Sequence, residues 1–369
     1  MVHRGVGHLA WHRGMLFCLG LVFVLAISSR WLQAADKPKG VWTDPQDPAL
    51  PIEFKFQGEY VGQIEGGDKL ACQVIALGPA AFQAVLLPGG LPGEGWDGKN
   101  KLLMDGRLEG EAAVFEPASD NRQYLAGNPK EFSATRQFPP EGHKPYTATA
   151  SGEAMNGKTD DGKSFALKKT VRTSPTEGTP PPAGAIVLLD GSKADQWNGG
   201  RLDEATGLLN TDGRDILSKR KFNSFVMHLE FLLPFRPEAR GQGRGNSGYY
   251  LVDHYEVQIL DSFGLDGVNN ECGGIYSKAD PKVNMCYPPL AWQTYDVEFT
   301  NAVRDAEGNK VKNAVLTLRH NGVVIHENLE ISGPTGGHRN EPEGTQGAIK
   351  LQGHGNPLQF RNIWVVEKD

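Results

Sequence analysis

Cysteine is scarce: the chain has 4 in 369 residues. None sits in a C-x-x-C pair or at zinc-site spacing, which excludes a structural zinc module and a thioredoxin-like redox motif. The Gly/Pro stretch Leu87-Pro88-Gly89-Gly90-Leu91-Pro92-Gly93-Glu94-Gly95-Trp96-Asp97-Gly98 lacks the Lys-Ser/Thr ending of a phosphate-binding loop, so no nucleotide site is read there. Past the N-terminus no apolar run approaches a membrane span. Positive charge is also short. The first 35 residues hold three arginines and no acids; without them 35 basic residues face 44 acidic ones, a net of about −9. That balance argues against a nucleic-acid partner.

What is present begins with an address. Arg4 and Arg13 precede the uncharged apolar run Met15 to Ile27, and Leu32-Gln33-Ala34-Ala35 supplies small residues for cleavage. Residues 1–35 read as a signal peptide, with an uncleaved anchor as the alternative. The expectation is export to the periplasm or beyond, with no stable membrane insertion after cleavage. Of the remaining cysteines, Cys272 and Cys286 bracket a Gly/Asp/Pro-containing loop that a disulfide would close; free buried thiols are the other reading.

Punctuation divides the rest. The run Thr173 to Gly184 contains Pro180-Pro181-Pro182 and no core-facing pattern, so 173–184 reads as an extended linker. Residues 45–172 show short alternating runs between turn signals, among them Phe54-Lys55-Phe56, Glu59 to Ile64, Ala71 to Leu77 and Phe82 to Leu87, the pattern of a small all-β meander or roll. Residues 185–369 are also β-dominated, without an amphipathic helix of three turns. Strand patterns cover 185–189, 225–233, 248–252, 255–259, 294–300, 314–320, 323–326, 348–352 and 359–366. Asn321-Gly322 is the strongest hairpin signal. The fold class is all-β, a two-sheet sandwich preceded by a smaller all-β domain.

The chemistry concentrates in Gly245 to Asp261, G-N-S-G-Y-Y-L-V-D-H-Y-E-V-Q-I-L-D. Tyr255, Val257 and Ile259 alternate with Glu256 and Gln258, so two polar side chains project from one face of a strand whose other face is apolar. Asp261 joins Glu256 only if a bulge near Leu260 shifts the phase. Two carboxyls on one surface are the minimum for acid/base work on a sugar. The plainer reading is a solvated strand face.

Val187-Leu188-Leu189-Asp190-Gly191-Ser192-Lys193-Ala194-Asp195-Gln196-Trp197 resembles the opening block of the 3-keto-disaccharide hydrolase family. Phe225 to Phe231, Gly245 to Leu251, Tyr255 to Asp261, and Leu351-Gln352-Gly353-His354-Gly355-Asn356-Pro357 with Phe360-Arg361-Asn362-Ile363 are similar to its other blocks, in order across 185–369. The resemblance implies a concanavalin-A-like jelly roll and cleavage of glycosides oxidised at C3. Glu256, Asp261 and His354 are then the catalytic candidates, and Asn246, Tyr249, Gln258, Trp292, Gln352 and Arg361 the substrate-binding ones. A divalent metal held by Glu256, Asp261 and a histidine is an open alternative. Laminarinase-type enzymes of that fold carry E-x-D-x-x-E where this chain has E-x-Q-x-x-D, a departure from the usual retaining mechanism. A carbohydrate-binding protein without turnover is the competing reading, and a structural β module a third. Oligomeric state, sugar and linkage are not legible.

Overall fold

The computed structural model describes residues 40–119 and 121–368. The signal-peptide expectation, residues 1–35, lies outside the described residues.

Eight strands between Gly58 and Thr170 form a closed antiparallel barrel. Its lumen is filled by alternate residues such as Tyr60, Cys72, Val74, Phe82, Leu86, Met104, Phe115 and Met155. Strands Lys69–Ala76 and Ala81–Pro88 are buried over most of their length, which alternation alone does not explain. Their other faces, through Ala71, Ile75, Val85 and Leu87, pack into the core of the C-terminal sandwich. In return, Leu232, Phe235 and Leu290 join the barrel's cluster. The run Phe54-Lys55-Phe56 forms not a strand but the helical turn Glu53–Phe56, with Phe56 buried.

The sandwich has a large and a small antiparallel sheet. The large one orders its long strands Gln359–Glu367, Phe225–Leu232, Trp292–Thr300, Ala314–His320 and Val323–Ile331; the small one places Ile216–Phe222, Gly347–Leu351, Ser247–Leu251 and Tyr255–Ile259 side by side. Between them lies one core, to which Phe225, Met227, Leu229 and Phe231 contribute from one side and Tyr249, Leu251, Val257 and Ile259 from the other. Asn321 and Gly322 have φ of 50° and 80°, the doubly positive turn expected of an Asn-Gly hairpin. His320 and His326, which flank that turn, are buried. His320 Nε2 meets Gln293 Oε1 at 2.9 Å.

The segment read as a linker is a strap bound across the outer face of the large sheet. Thr176 Oγ1 donates to Asp296 Oδ2 at 2.7 Å and Gly178 N to Glu230 Oε1 at 2.6 Å. Thr179 O accepts from Asn362 Nδ2 at 3.0 Å and Trp364 Nε1 at 3.1 Å. The bound part is turned rather than extended, with Glu177 N donating to Ser174 O and Thr179 N to Thr176 O, both at 3.1 Å, and the sheet's outward polar residues supply the partners its remaining backbone groups lack. Cys72, Cys272 and Cys286 are free and buried, the second of the two cysteine readings.

Candidate functional site

On the face of the small sheet away from the core, a cleft of about 230 Å³ is lined by Gln242, Asn246, Tyr250, Glu256, Gln258, Tyr276, Gly336, Gly337, Gln352 and His354. Depressions of about 940 and 480 Å³ on the barrel are larger, but neither gathers the polar residues singled out in the sequence. Chemistry, not size, selects the smaller one.

The hairpin sets the geometry. Leu251 pairs with Tyr255, so Tyr250 stands opposite Glu256 and Gly248 opposite Gln258. Cross-strand neighbours share a face, and the hydroxyl of Tyr250 therefore reaches Glu256 Oε2 at 2.9 Å. The same Oη lies 2.8 Å from Gly336 O and accepts from Gln352 Nε2 at 3.3 Å. One hydroxyl proton cannot serve both the carboxylate and the Gly336 carbonyl. With Glu256 ionised the proton goes to the carboxylate, and that is the hydrogen bond that pulls its pKa down. Glycine at 248 leaves the carboxyl its room: a Cβ there would stand 2.4 Å from Glu256 Oε1, which would have to shift.

Glu256 is 4 % exposed. Burial pushes its carboxyl up to about 7, against the smaller downward pulls of the Tyr250 hydrogen bond and the Lys350 charge. Lys350 is not a direct partner. Its Nζ pairs with Asp253 Oδ1 at 2.6 Å, donates to Gly337 O at 2.7 Å and sits 3.8 Å from the centre of the Tyr250 ring. The backbone is held too, since Glu256 N donates to Thr335 Oγ1 at 2.8 Å. The Gly336-Gly337 loop is thus an ordered wall, bound through Tyr250 and Lys350.

Five sequence candidates converge here: Glu256, Gln258, Asn246, Gln352 and, at the exposed rim, His354. Four do not. Asp261 lies beyond the end of strand Tyr255–Ile259, 3 % exposed, with Oδ2 on Arg244 Nε at 2.6 Å. No bulge turns it into the cleft; a guanidinium takes it toward the barrel. Tyr249 faces the core, its hydroxyl 2.9 Å from Met227 Sδ, because the residue sharing Glu256's face is Tyr250. Trp292 and Arg361 belong to the large sheet's outer side, where the guanidinium lies 3.9 Å from the indole centre and Arg361 Nε pairs with Glu230 Oε2 at 2.6 Å. Arg361 does point away from the core, but from the wrong sheet. Sequence reasoning missed Tyr250, which hairpin register could have revealed, and Gln242, Tyr276 and Lys350, which arrive through non-local packing.

The metal alternative needed Glu256, Asp261 and a histidine together. With Asp261 bound to Arg244 that set does not assemble, and among the described residues no group of three or more His, Cys, Asp or Glu is placed to hold an ion.

Among known proteins, three solved structures from Parabacteroides distasonis ATCC 8503, each described as a candidate glycosyl hydrolase, resemble parts of this chain. One is 32% identical, covering 51% of this chain and 85% of the other, with a TM-score of 0.46. Another is 18% identical over 50% of this chain and 95% of its own, at a TM-score of 0.37. The third is 20% identical over 50% and 99%, at 0.35. No curated protein matches the chain. Residues 184–366 match the family profile of the 3-keto-alpha-glucoside-1,2-lyase-like domain, and over those residues the chain belongs to that family.

Proposed function

We propose that the cleft cleaves glycosidic bonds of 3-keto-glycosides, with Glu256 as the general base. The family supports a glycoside-hydrolase-like activity on carbohydrate; the keto-sugar substrate is our own step. The observation that carries it is Glu256, a buried carboxyl at the cleft floor raised to about 7, where a base is most effective at neutral pH.

A C3 ketone acidifies the proton on C2. The Glu256 carboxylate takes that proton, and the C2–H electron pair becomes the C2=C3 bond of an enolate. Its collapse restores the ketone, forms C1=C2 and expels the glycosidic oxygen from C1, which leaves with a proton. Water then adds at C1. Gln352 and Gln258 supply amide donors toward the enolate oxygen, and His354 at the rim is the candidate proton source for the leaving oxygen. A single carboxyl suffices for this route, whereas direct hydrolysis requires two at defined separation. Asp261's absence from the cleft therefore favours elimination.

The test is release of monosaccharide by the purified chain from a 3-keto-disaccharide beside its unoxidised parent. Release from the keto compound alone is expected, and Glu256→Gln should cut it by about 10²–10⁴-fold. No release from the keto compound, with and without divalent cations, removes the proposal. Saturable binding without turnover would leave the lectin-like alternative standing.

A further inference from the structure

The barrel domain reaches the cleft wall through Arg240 and Arg244. Arg240 Nη2 donates to Leu77 O at 2.5 Å and its Nε to Ala126 O at 3.3 Å, both barrel-domain carbonyls. Arg244 Nη1 donates to Ala76 O at 3.0 Å, while its Nε is held by Asp261. Between these two anchored arginines runs the single turn Gly241–Gly243, which carries Gln242 into the cleft wall. Gly241 has a φ of 47°, and a Cβ there would lie 3.5 Å from Leu125 of the barrel domain.

Gln242 then fixes its neighbour. Asn246 Nδ2 donates to Gln242 O at 2.9 Å and to Gln242 Oε1 at 3.0 Å, using both amide hydrogens. Gln242 Nε2 is itself held by Asn270 O at 2.7 Å. The donors settle which way the Asn246 amide points without ambiguity between oxygen and nitrogen. Its Oδ1 is buried and has no hydrogen-bond partner, in a residue that is 1 % exposed and lines the cleft. A buried acceptor left unpaired is costly, and a donor from a bound ligand removes that cost.

We propose that the N-terminal barrel sets how the cleft reads its sugar: its carbonyls hold Arg240 and Arg244, the turn between them presents Gln242, and Gln242 aims Asn246 Oδ1 to accept from one saccharide hydroxyl. This rests on the keto-glycoside reading of the same cleft. Asn246 is a specificity residue, and Gln242 and Arg240 are positioning residues acting through it. The acid at 261 finds its role here, locking Arg244 rather than touching sugar.

Steady-state kinetics of the full chain on a 3-keto-disaccharide and on analogues each lacking one hydroxyl tests this. The wild type should discriminate against one deoxy analogue by roughly ten-fold, the value of one hydrogen bond to a neutral group. Asn246→Ala should raise KM on the parent sugar by a similar factor, leave kcat nearly unchanged and abolish that discrimination. Gln242→Ala and Arg240→Ala should move KM and discrimination in the same direction, while Arg107→Ala on the barrel's exposed surface should move neither. Unchanged KM and an unchanged deoxy pattern in Gln242→Ala and Arg240→Ala overturn the inference. Should Arg240→Ala fail to fold, Gln242→Ala, which touches no barrel carbonyl, discriminates by itself. A wild type inert on every keto-disaccharide removes the function and this inference together; an active wild type with unmoved variants removes only the inference.

Discussion

Two buried glutamates project from opposite outer faces of the sandwich, and they have opposite fates. Glu230 accepts from Gly178 N at 2.6 Å, Asn362 Nδ2 at 2.8 Å and Arg361 Nε at 2.6 Å, with His228 Nε2 at 3.3 Å. Burial opposes its charge, yet these donors outweigh burial and bring it down to about 2. Glu256, at a similar depth, has the Tyr250 hydroxyl as its one side-chain partner and rises to about 7. Donor number, not burial, separates a carboxylate that bolts a strap to a sheet from one that can exchange a proton at neutral pH.

The largest expected effects come from exchanging the two roles. Glu256→Gln should cut turnover by about 10²–10⁴-fold without lowering the urea midpoint, since the amide fits the same space and removes a carboxyl whose charge opposes folding. Glu230→Gln should do the reverse. It leaves Arg361 to Glu177 and His228 to Asp296, and loses the buried carboxylate that accepts from four donors, at a cost of about 1–3 kcal/mol. Urea denaturation and keto-sugar kinetics on the same two preparations decide the matter. Equal stability losses, or activity loss in both, would erase the distinction.

A smaller, more local effect is expected at Gly248. An alanine Cβ would meet Glu256 Oε1 at 2.4 Å and the Tyr250 ring at 3.0 Å, so the carboxyl must swing off its partner. Gly248→Ala should lower kcat by about ten- to a hundred-fold, as misplacement of a catalytic group by about an ångström does. An active Gly248→Ala enzyme would mean that the Tyr250–Glu256 contact is not part of the chemistry. The pH profile sharpens the point further. A base raised to about 7 gives a kcat/KM that climbs with pH through that value. The Tyr250 hydrogen bond pulls Glu256 down, so Tyr250→Phe should move the climbing limb to higher pH. A limb that stays fixed, or moves down, contradicts the assignment.

Much of this architecture was legible because it is local. Tyr255–Ile259 alternates as the strand it is, Asn321-Gly322 makes its turn, and Glu256 and Gln258 share a polar face as period-two arithmetic requires. Ile216–Phe222 escaped because Lys219, Arg220 and Lys221 are all exposed, across a register shift between Leu217 and Lys221 that breaks the alternation. The errors in the site have one root. Parity tells which side of its own strand a residue occupies, but not which sheet that strand joins. Arg361 and Trp292 have the right polarity on the large sheet, while Tyr249 was one position out of phase with the hairpin register. Asp261 required knowing that Arg244, whose Nη1 also donates to Ala76 O of the barrel, would pair with it.

The smallest expected effect concerns the strap side. His228 Nδ1 lies 2.6 Å from Asp296 Oδ1 and Nε2 3.3 Å from Glu230, and its ring stacks on Trp364 at 5.5 Å. Burial pulls the imidazole down, but the Asp296 and Glu230 carboxylates prevail and its pKa is raised. A histidine whose folded pKa lies above the unfolded value, about 6.5, contributes stability that is full below that pH and fades as pH rises through the folded value. Glu230 has the opposite sign, stabilising above the ordinary carboxyl range and losing its contribution only as pH falls toward about 2. Glu256, raised like His228, weakens the fold over an overlapping range, so the comparison belongs in a Glu256→Gln background. There, urea midpoints of the His228 protein should fall relative to His228→Gln as pH rises from the unfolded histidine value upward. A difference between the two that is flat across this window would mean that the strap is held by its hydrogen bonds alone and not by the imidazolium between two acids.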